Sequence, residues 1–194
     1  MKKLNAVIFA LLVSISAPTL AEGNSGEMIQ GIVDKVKKVV TEEGGSLSPE
    51  KLDDRLLTII KPAFDFNEMS RRSLGANWNK ANKEEKDEFI ELFSELLAKN
   101  YLKQIRDNAK DSEFTIISTS EEGIRSLVQS KIKTPKEEIK IDYRLYNKKG
   151  DWKVYDVVIE NIGLVSNYRS EFSGIVRRDG MQGLIKQLRS KINE

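Results

Sequence analysis

Ile139-Lys140-Ile141-Asp142-Tyr143-Arg144-Leu145-Tyr146-Asn147 alternates apolar and polar side chains with a period of two. That period places Ile139, Ile141, Tyr143 and Leu145 on one face of a strand and Lys140, Asp142, Arg144 and Tyr146 on the other, the pattern of a sheet with one buried and one wet side. Working outward, Thr134-Pro135 separates this strand from Ile124 to Lys133, Glu122-Gly123 separates that one from Phe114 to Thr119, and Lys149-Gly150 leads into Asp151 to Glu160. Connections this short join antiparallel neighbours, so the segment predicts a twisted meander of about four strands. In the last strand, alternation puts Tyr155, Val157 and Ile159 on one face and Trp152, Val154 and Val158 on the other.

Helical periodicity surrounds the strands. Apolar residues from Met28 to Val40 fall on one face, and Gly44 and Gly45 stop the run. Ser48 as N-cap with Pro49 behind it opens a second helix carrying Leu52, Leu56, Ile59 and Ile60, which Pro62 ends or kinks. A short helix spans Asn67 to Leu74 and closes at Gly75. Asn82 with Glu85 three residues on is an Asn form of the capping box, and it starts the longest helix, striped by Phe89, Phe93, Leu96, Leu97, Tyr101 and Ile105. After the strands come Gly163 to Arg178 and Met181 to Ile192, separated at Gly180. Helices and sheet share one core in an α+β domain.

Composition excludes several kinds of chemistry. The chain has 194 residues with no His and no Cys, which removes imidazole bases, thiol nucleophiles, disulfides and the usual zinc sites. It contains no phosphate-cradling glycine loop and no Gly-x-Ser-x-Gly. Met1-Lys2-Lys3, the apolar run Ala6 to Val13 and the small-residue end Thr19-Leu20-Ala21 read as a secretory signal peptide over residues 1–21, leaving 22–194 as one exported domain. In a cell with two membranes that product is periplasmic. The formal charge of +2 comes from Lys2 and Lys3, so the remainder carries 30 bases against 30 acids. A neutral chain has no basic excess for nucleic acid.

Five amphipathic helices and a half-buried sheet can close as a solid core or enclose a ligand. Periodicity alone favours the solid core, since apolar stripes at helical spacing are usually packing. For an enzyme reading of such a cone, Tyr143, Tyr155 and Asp156 are the candidates, with no His to pair with them.

Two long blocks carry a family resemblance. The first is Leu74-Gly75-Ala76-Asn77-Trp78-Asn79-Lys80-Ala81, running into Phe89, Phe93, Leu96, Leu97 and Tyr101. The second is Gly150-Asp151-Trp152-Lys153-Val154-Tyr155-Asp156-Val157, followed by Leu164-Val165-Ser166-Asn167-Tyr168-Arg169-Ser170-Glu171-Phe172 and by Gly180 through Leu184 to Leu188. Together they resemble the MlaC, or toluene-tolerance, family over about Met28 to Ile192. At the last turn the family usually has Gly, an aliphatic and Ser, where this chain has Asn161, Ile162 and Gly163.

The resemblance implies a nuclear-transport-factor-like sheet wrapped by helices around an apolar cavity, reversing the preference for a solid core. It implies a periplasmic phospholipid shuttle with no covalent chemistry and no cofactor beyond the bound phospholipid it carries. Its implied partners are an inner-membrane ABC transport complex with a lipid-docking hexamer and an outer-membrane lipoprotein complex, and its role is to maintain outer-membrane asymmetry. Carriage of another extended lipid, such as a hopanoid, is the alternative. Tail contacts fall by face and resemblance on Phe66, Met69, Leu74, Phe89, Phe93, Leu97, Tyr143, Leu145, Tyr155, Val157, Ile162, Val165 and Phe172, with Arg71, Arg72 and Arg169 meeting a headgroup or a partner protein.

Overall fold

The computed structural model describes residues 24–193, so the expected signal peptide lies outside the described residues. Among those described, no helix is long and apolar enough to cross a membrane. Helix α1 (Ser25–Glu43) starts three residues before the apolar stripe because Asn24 and Glu27 form a capping box. Each of the two side chains accepts from the other's backbone N–H, at 2.9 and 3.2 Å. Ser48 and Pro49 begin α2 (Pro49–Ile60), and Pro62 turns the chain into a single 3₁₀ turn, Lys61–Ala63. Asp65 caps α3 (Phe66–Leu74). Gly75, at φ 54°, ends it in a backbone conformation that side chains resist.

A second capping box, Asn82 with Glu85, opens the 26-residue α4 (Lys83–Asn108). Asn82→Ala removes the acceptor for the Glu85 N–H and is expected to cost about 1 kcal/mol of stability, measurable as an equal shift in urea unfolding free energy.

The sheet runs β1 (Glu113–Glu122), β2 (Arg125–Lys133), β3 (Glu138–Lys148), β4 (Asp151–Ile159) and a two-residue β5 (Ile162–Gly163), in sequential antiparallel order. The short fifth strand adds to the four-strand expectation. Its turn uses Glu160 and Asn161, both at positive φ, the backbone that a two-residue hairpin needs and that Asn tolerates. Helix α5 (Leu164–Asn193) then breaks at Gly180 (φ 71°, ψ −177°), where the sequence places the boundary between two helices.

One face assignment is corrected. The β3–β4 register shifts between Arg144 and Leu145, because Arg144 pairs with Asp156 and Leu145 with Val154 while Tyr155 is extra. A bulge resets alternation, so Trp152, Val154, Val157 and Ile159 join one apolar cluster and Tyr155 stands on the other side with Tyr146. A second shift in β1, between Ile116 and Ser118, leaves Ile117 58% exposed.

Buried apolar residues form three clusters. One lies among α3, α4 and α5, around Phe89, Phe93, Tyr168 and Phe172. Another lines the sheet around Val128, Leu145 and Val154, with Ile29 of α1. The third joins α1, α2 and the C-terminal half of α4 through Val36, Leu52, Leu56 and Leu102. Phe64 and Leu164 touch both the first and the second.

Candidate functional site

Helices close on the sheet from its two sides. Helix α1 packs over β1 and β2, and α3 and α5 pack over β4, so β3 between them receives the least helix cover. Its inner face carries Ile141 and Tyr143, which the β2 and β4 registers set beside Ser130, Val128, Val157 and Ile159. Val128, Leu145 and Val154 are sealed at 0% exposure, yet Phe114, Ile116, Ile141, Tyr143 and Ile159 on the same apolar surface stay only half-buried. Around them Ile32, Ile60, Phe64, Tyr101 and Leu164 are half-buried too, at the borders of the three clusters. A solid core packed to ordinary density would seal such side chains. The inner surface instead keeps accessible apolar area over β3.

Polar groups on this surface are few. Ser126 Oγ is 2.6 Å from Ser25 Oγ, and Ser130 Oγ donates to the Ile141 carbonyl at 2.7 Å. Tyr143 stands among apolar neighbours, and burial pushes its phenol up to about 12. It is therefore a neutral hydroxyl at any physiological pH.

The outer side of β3 and β4 is ionic. Arg144 Nη1 meets Asp156 Oδ2 at 2.9 Å, while Asp156 Oδ1 accepts from the Val165 N–H at 3.0 Å and so caps α5 from the sheet. The Tyr146 hydroxyl donates to Asp65, and Lys148 lies 3.4 Å from the same carboxylate. Burial alone would raise the Asp65 carboxyl, but Tyr146, the Glu68 N–H and Lys148 together hold it below its ordinary value. A depressed native pKa contributes stability that is present above the unfolded value of about 3.9 and is lost as pH falls through the native one. Asp65→Asn is therefore expected to lower Tm at pH 7 and to flatten its decline below about pH 4, as read by thermal melts across that range.

The structure divides the sequence-derived contact residues into groups. Met69, Leu74, Phe89, Phe93, Leu97, Val165 and Phe172 pack together in the helical cluster, each at 7% exposure or less, and Phe66 borders them. Tyr143 and Val157 lie on the inner sheet surface, and Leu145 is sealed within it. Tyr155 faces the opposite side beneath the Arg72 guanidinium, 4.3 Å from its ring centroid, and Ile162 is 62% exposed on β5. Arg71 and Arg72 both pair with Glu68 at 2.7 Å, and Arg169 Nε donates to the Arg72 carbonyl, also at 2.7 Å. The three arginines thus form one cluster at the C-terminal end of α3.

Ile141 and Ile159, with Phe114 and Ile116, belong to the inner surface but were not among the sequence-derived contacts. The alternation from Ile139 to Asn147 already places Ile141 on the same face as Tyr143. For catalysis the arrangement offers no constellation: Tyr143 and Tyr155 occupy opposite sides of the sheet, and Asp156 is committed to Arg144 and Val165. Among the described residues no group of three or more acidic side chains is placed to hold a metal. A groove of about 260 Å³, lined by Ile117, Gln129, Lys140, Asp142 and Asn161 among others, is small and largely polar.

The family model for MlaC protein matches residues 30–190, all but the first segment and the last few residues. The chain belongs to the MlaC family. That membership agrees with the α+β order and the antiparallel sheet. Among MlaC relatives, the intermembrane phospholipid transport system binding protein of Haemophilus influenzae is 22% identical, aligned over 98% of this chain and 92% of its own length. Toluene tolerance protein ttg2D of Pseudomonas putida is also 22% identical, over 89% of this chain and 82% of its own. The phospholipid-binding protein of Ralstonia solanacearum, solved in complex with a phospholipid, superposes with a TM-score of 0.81 at 21% identity, covering 88% of this chain and 98% of that one. At that identity the likeness establishes a shared fold.

Proposed function

We propose that the protein is a periplasmic carrier that holds a phospholipid with its acyl chains between the inner face of the sheet and the helices. The observation that carries this reading is the accessible apolar surface over β3, where Ile141, Tyr143 and Ile159 pack against the sealed sheet cluster yet stay only half-buried. Support also comes from the phospholipid bound by the R. solanacearum neighbour and the transport role in the H. influenzae relative's name.

The energetics demand such a surface. Some 30 methylenes of a diacyl lipid left in water forfeit roughly 24 kcal/mol, at about 0.8 each, so a carrier must cover nearly all of both tails. Two tails fill on the order of 1,000 Å³, near the top of the usual ligand range; the groove on the outer face, at about 260 Å³, is too small. Tails therefore enter by separating α1 and α2 from α4 and the sheet, along the borders of the three clusters. Phe114, Ile116, Ile141, Tyr143, Val157 and Ile159 form the floor. Phe66 and Leu97 edge the helical side, and the sealed residues behind them make a rigid wall.

Because the donor membrane buries the tails equally well, net transfer runs near balance and direction comes from partners. Those are an inner-membrane transport complex and an outer-membrane lipoprotein complex, which the neutral chain meets through local patches rather than bulk charge. Arg71, Arg72 and Arg169 form one such patch for a headgroup or a partner.

Organic extraction of the purified protein followed by mass spectrometry tests the reading. Diacyl phospholipid near one equivalent is expected. A polycyclic lipid in its place would shift the cargo to the hopanoid class, and protein that neither retains lipid nor takes it up from vesicles would overturn it.

A further inference from the structure

The inner surface over β3 contains one hydroxyl that its own fold does not satisfy. Ser126 is paired with Ser25, and Ser130 donates to the Ile141 carbonyl. Tyr143 stands half-buried beside Val128 and Val157 against the sheet cluster and makes no hydrogen bond to any described residue. That hydroxyl is not among the sealed, unpartnered polar atoms of the lipid-free protein, but acyl chains laid over β3 would displace its water and leave the O–H without a partner, which is costly. Phe at this position would fill the same volume at no such cost. We infer that Tyr143 is a specificity residue whose hydroxyl donates a hydrogen bond to an acceptor oxygen carried by the acyl chain of the cargo.

This rests on the carrier reading above and deepens it. A chain-borne oxygen has two sources, the ester carbonyl at the head of an acyl chain or a hydroxyl along it. Either way the carrier distinguishes oxygenated acyl cargo from plain hydrocarbon of the same length. Burial keeps the phenol a neutral donor, so the preference is independent of pH through the physiological range.

The test offers delipidated protein, wild type and Tyr143→Phe, to vesicles of phosphatidylglycerol in two pairwise competitions. One mixes ester-linked dipalmitoyl with ether-linked dihexadecyl lipid; the other mixes stearoyl with 12-hydroxystearoyl lipid. Bound species are read by extraction and mass spectrometry. Wild type is expected to favour the oxygenated member of one pair by about fivefold, the value of one hydrogen bond, and Tyr143→Phe to bind both members equally. Preference in the first pair identifies the ester, preference in the second the chain hydroxyl. The lipid-free variant should melt no lower than wild type, because only an unpartnered hydroxyl is removed. Equal selectivity in the two proteins, with both carrying lipid, overturns the inference and leaves the carrier reading standing; wild type that takes up no lipid removes both.

Discussion

Ile141→Glu is expected to reduce bound phospholipid by at least a hundredfold while leaving the fold intact. Ile141 lies on the inner face of β3, half-buried, beside Ser130 and Ile159. Its accessible surface lets a carboxylate there stay hydrated in the lipid-free protein. With acyl chains over β3, the same carboxylate would lose water without gaining a partner, a cost of several kcal/mol. About 3 kcal/mol already exceeds a hundredfold in affinity. The control is Ile117→Glu, at a site 58% exposed outside the apolar sheet cluster, where lipid content should not change. Quantitative extraction of both variants, with circular dichroism to confirm folding, checks the pair. Equal lipid in Ile141→Glu and wild type would remove β3 from the tail site.

Phe93→Ala should have the largest effect on stability, about 3–5 kcal/mol. Phe93 is fully buried, with ring centroids 5.6 Å from Phe89, 5.0 Å from Tyr168 and 5.4 Å from Phe172. Truncation removes three aromatic contacts and opens a cavity that α4 and α5 cannot close without moving their backbones. The loss is a large part of the 5–15 kcal/mol typical of a domain. Denaturant unfolding measures it. If Phe93 belongs to the wall behind the tails, bound lipid per folded molecule changes far less than stability. A lipid loss as steep as that of Ile141→Glu would instead put Phe93 in direct contact.

The helices were legible because their signals are local. Asn82 with Glu85, Ser48 with Pro49, and Gly180 mark ends through their own backbone chemistry. Alternation from Ile139 to Asn147 likewise fixed the inner face of β3 and set Tyr143 upon it. The face of Tyr155 was not legible. A bulge depends on how many residues the partner strand contributes, and neither strand alone records that. Nor does helical periodicity separate a residue that packs against another helix from one that borders a hollow. Phe89, Phe93 and Phe172 occupy the same stripes in either case, and only the position of α1, α3 and α5 around β3 distinguishes them. Ile162 illustrates the remaining limit: its strand is two residues long, too short to have a readable period.

In the proposed carrier, acyl chains lie between the inner face of the sheet and the helices. A phosphatidylglycerol with a photoreactive diazirine in one acyl chain, loaded into the protein, irradiated and mapped by peptide mass spectrometry, tests that location most directly. Adducts are expected on Phe114, Ile116, Ile141, Tyr143 or Ile159. Adducts confined to the outer surface, at Ile117, Ile124 or Ile162, would contradict it.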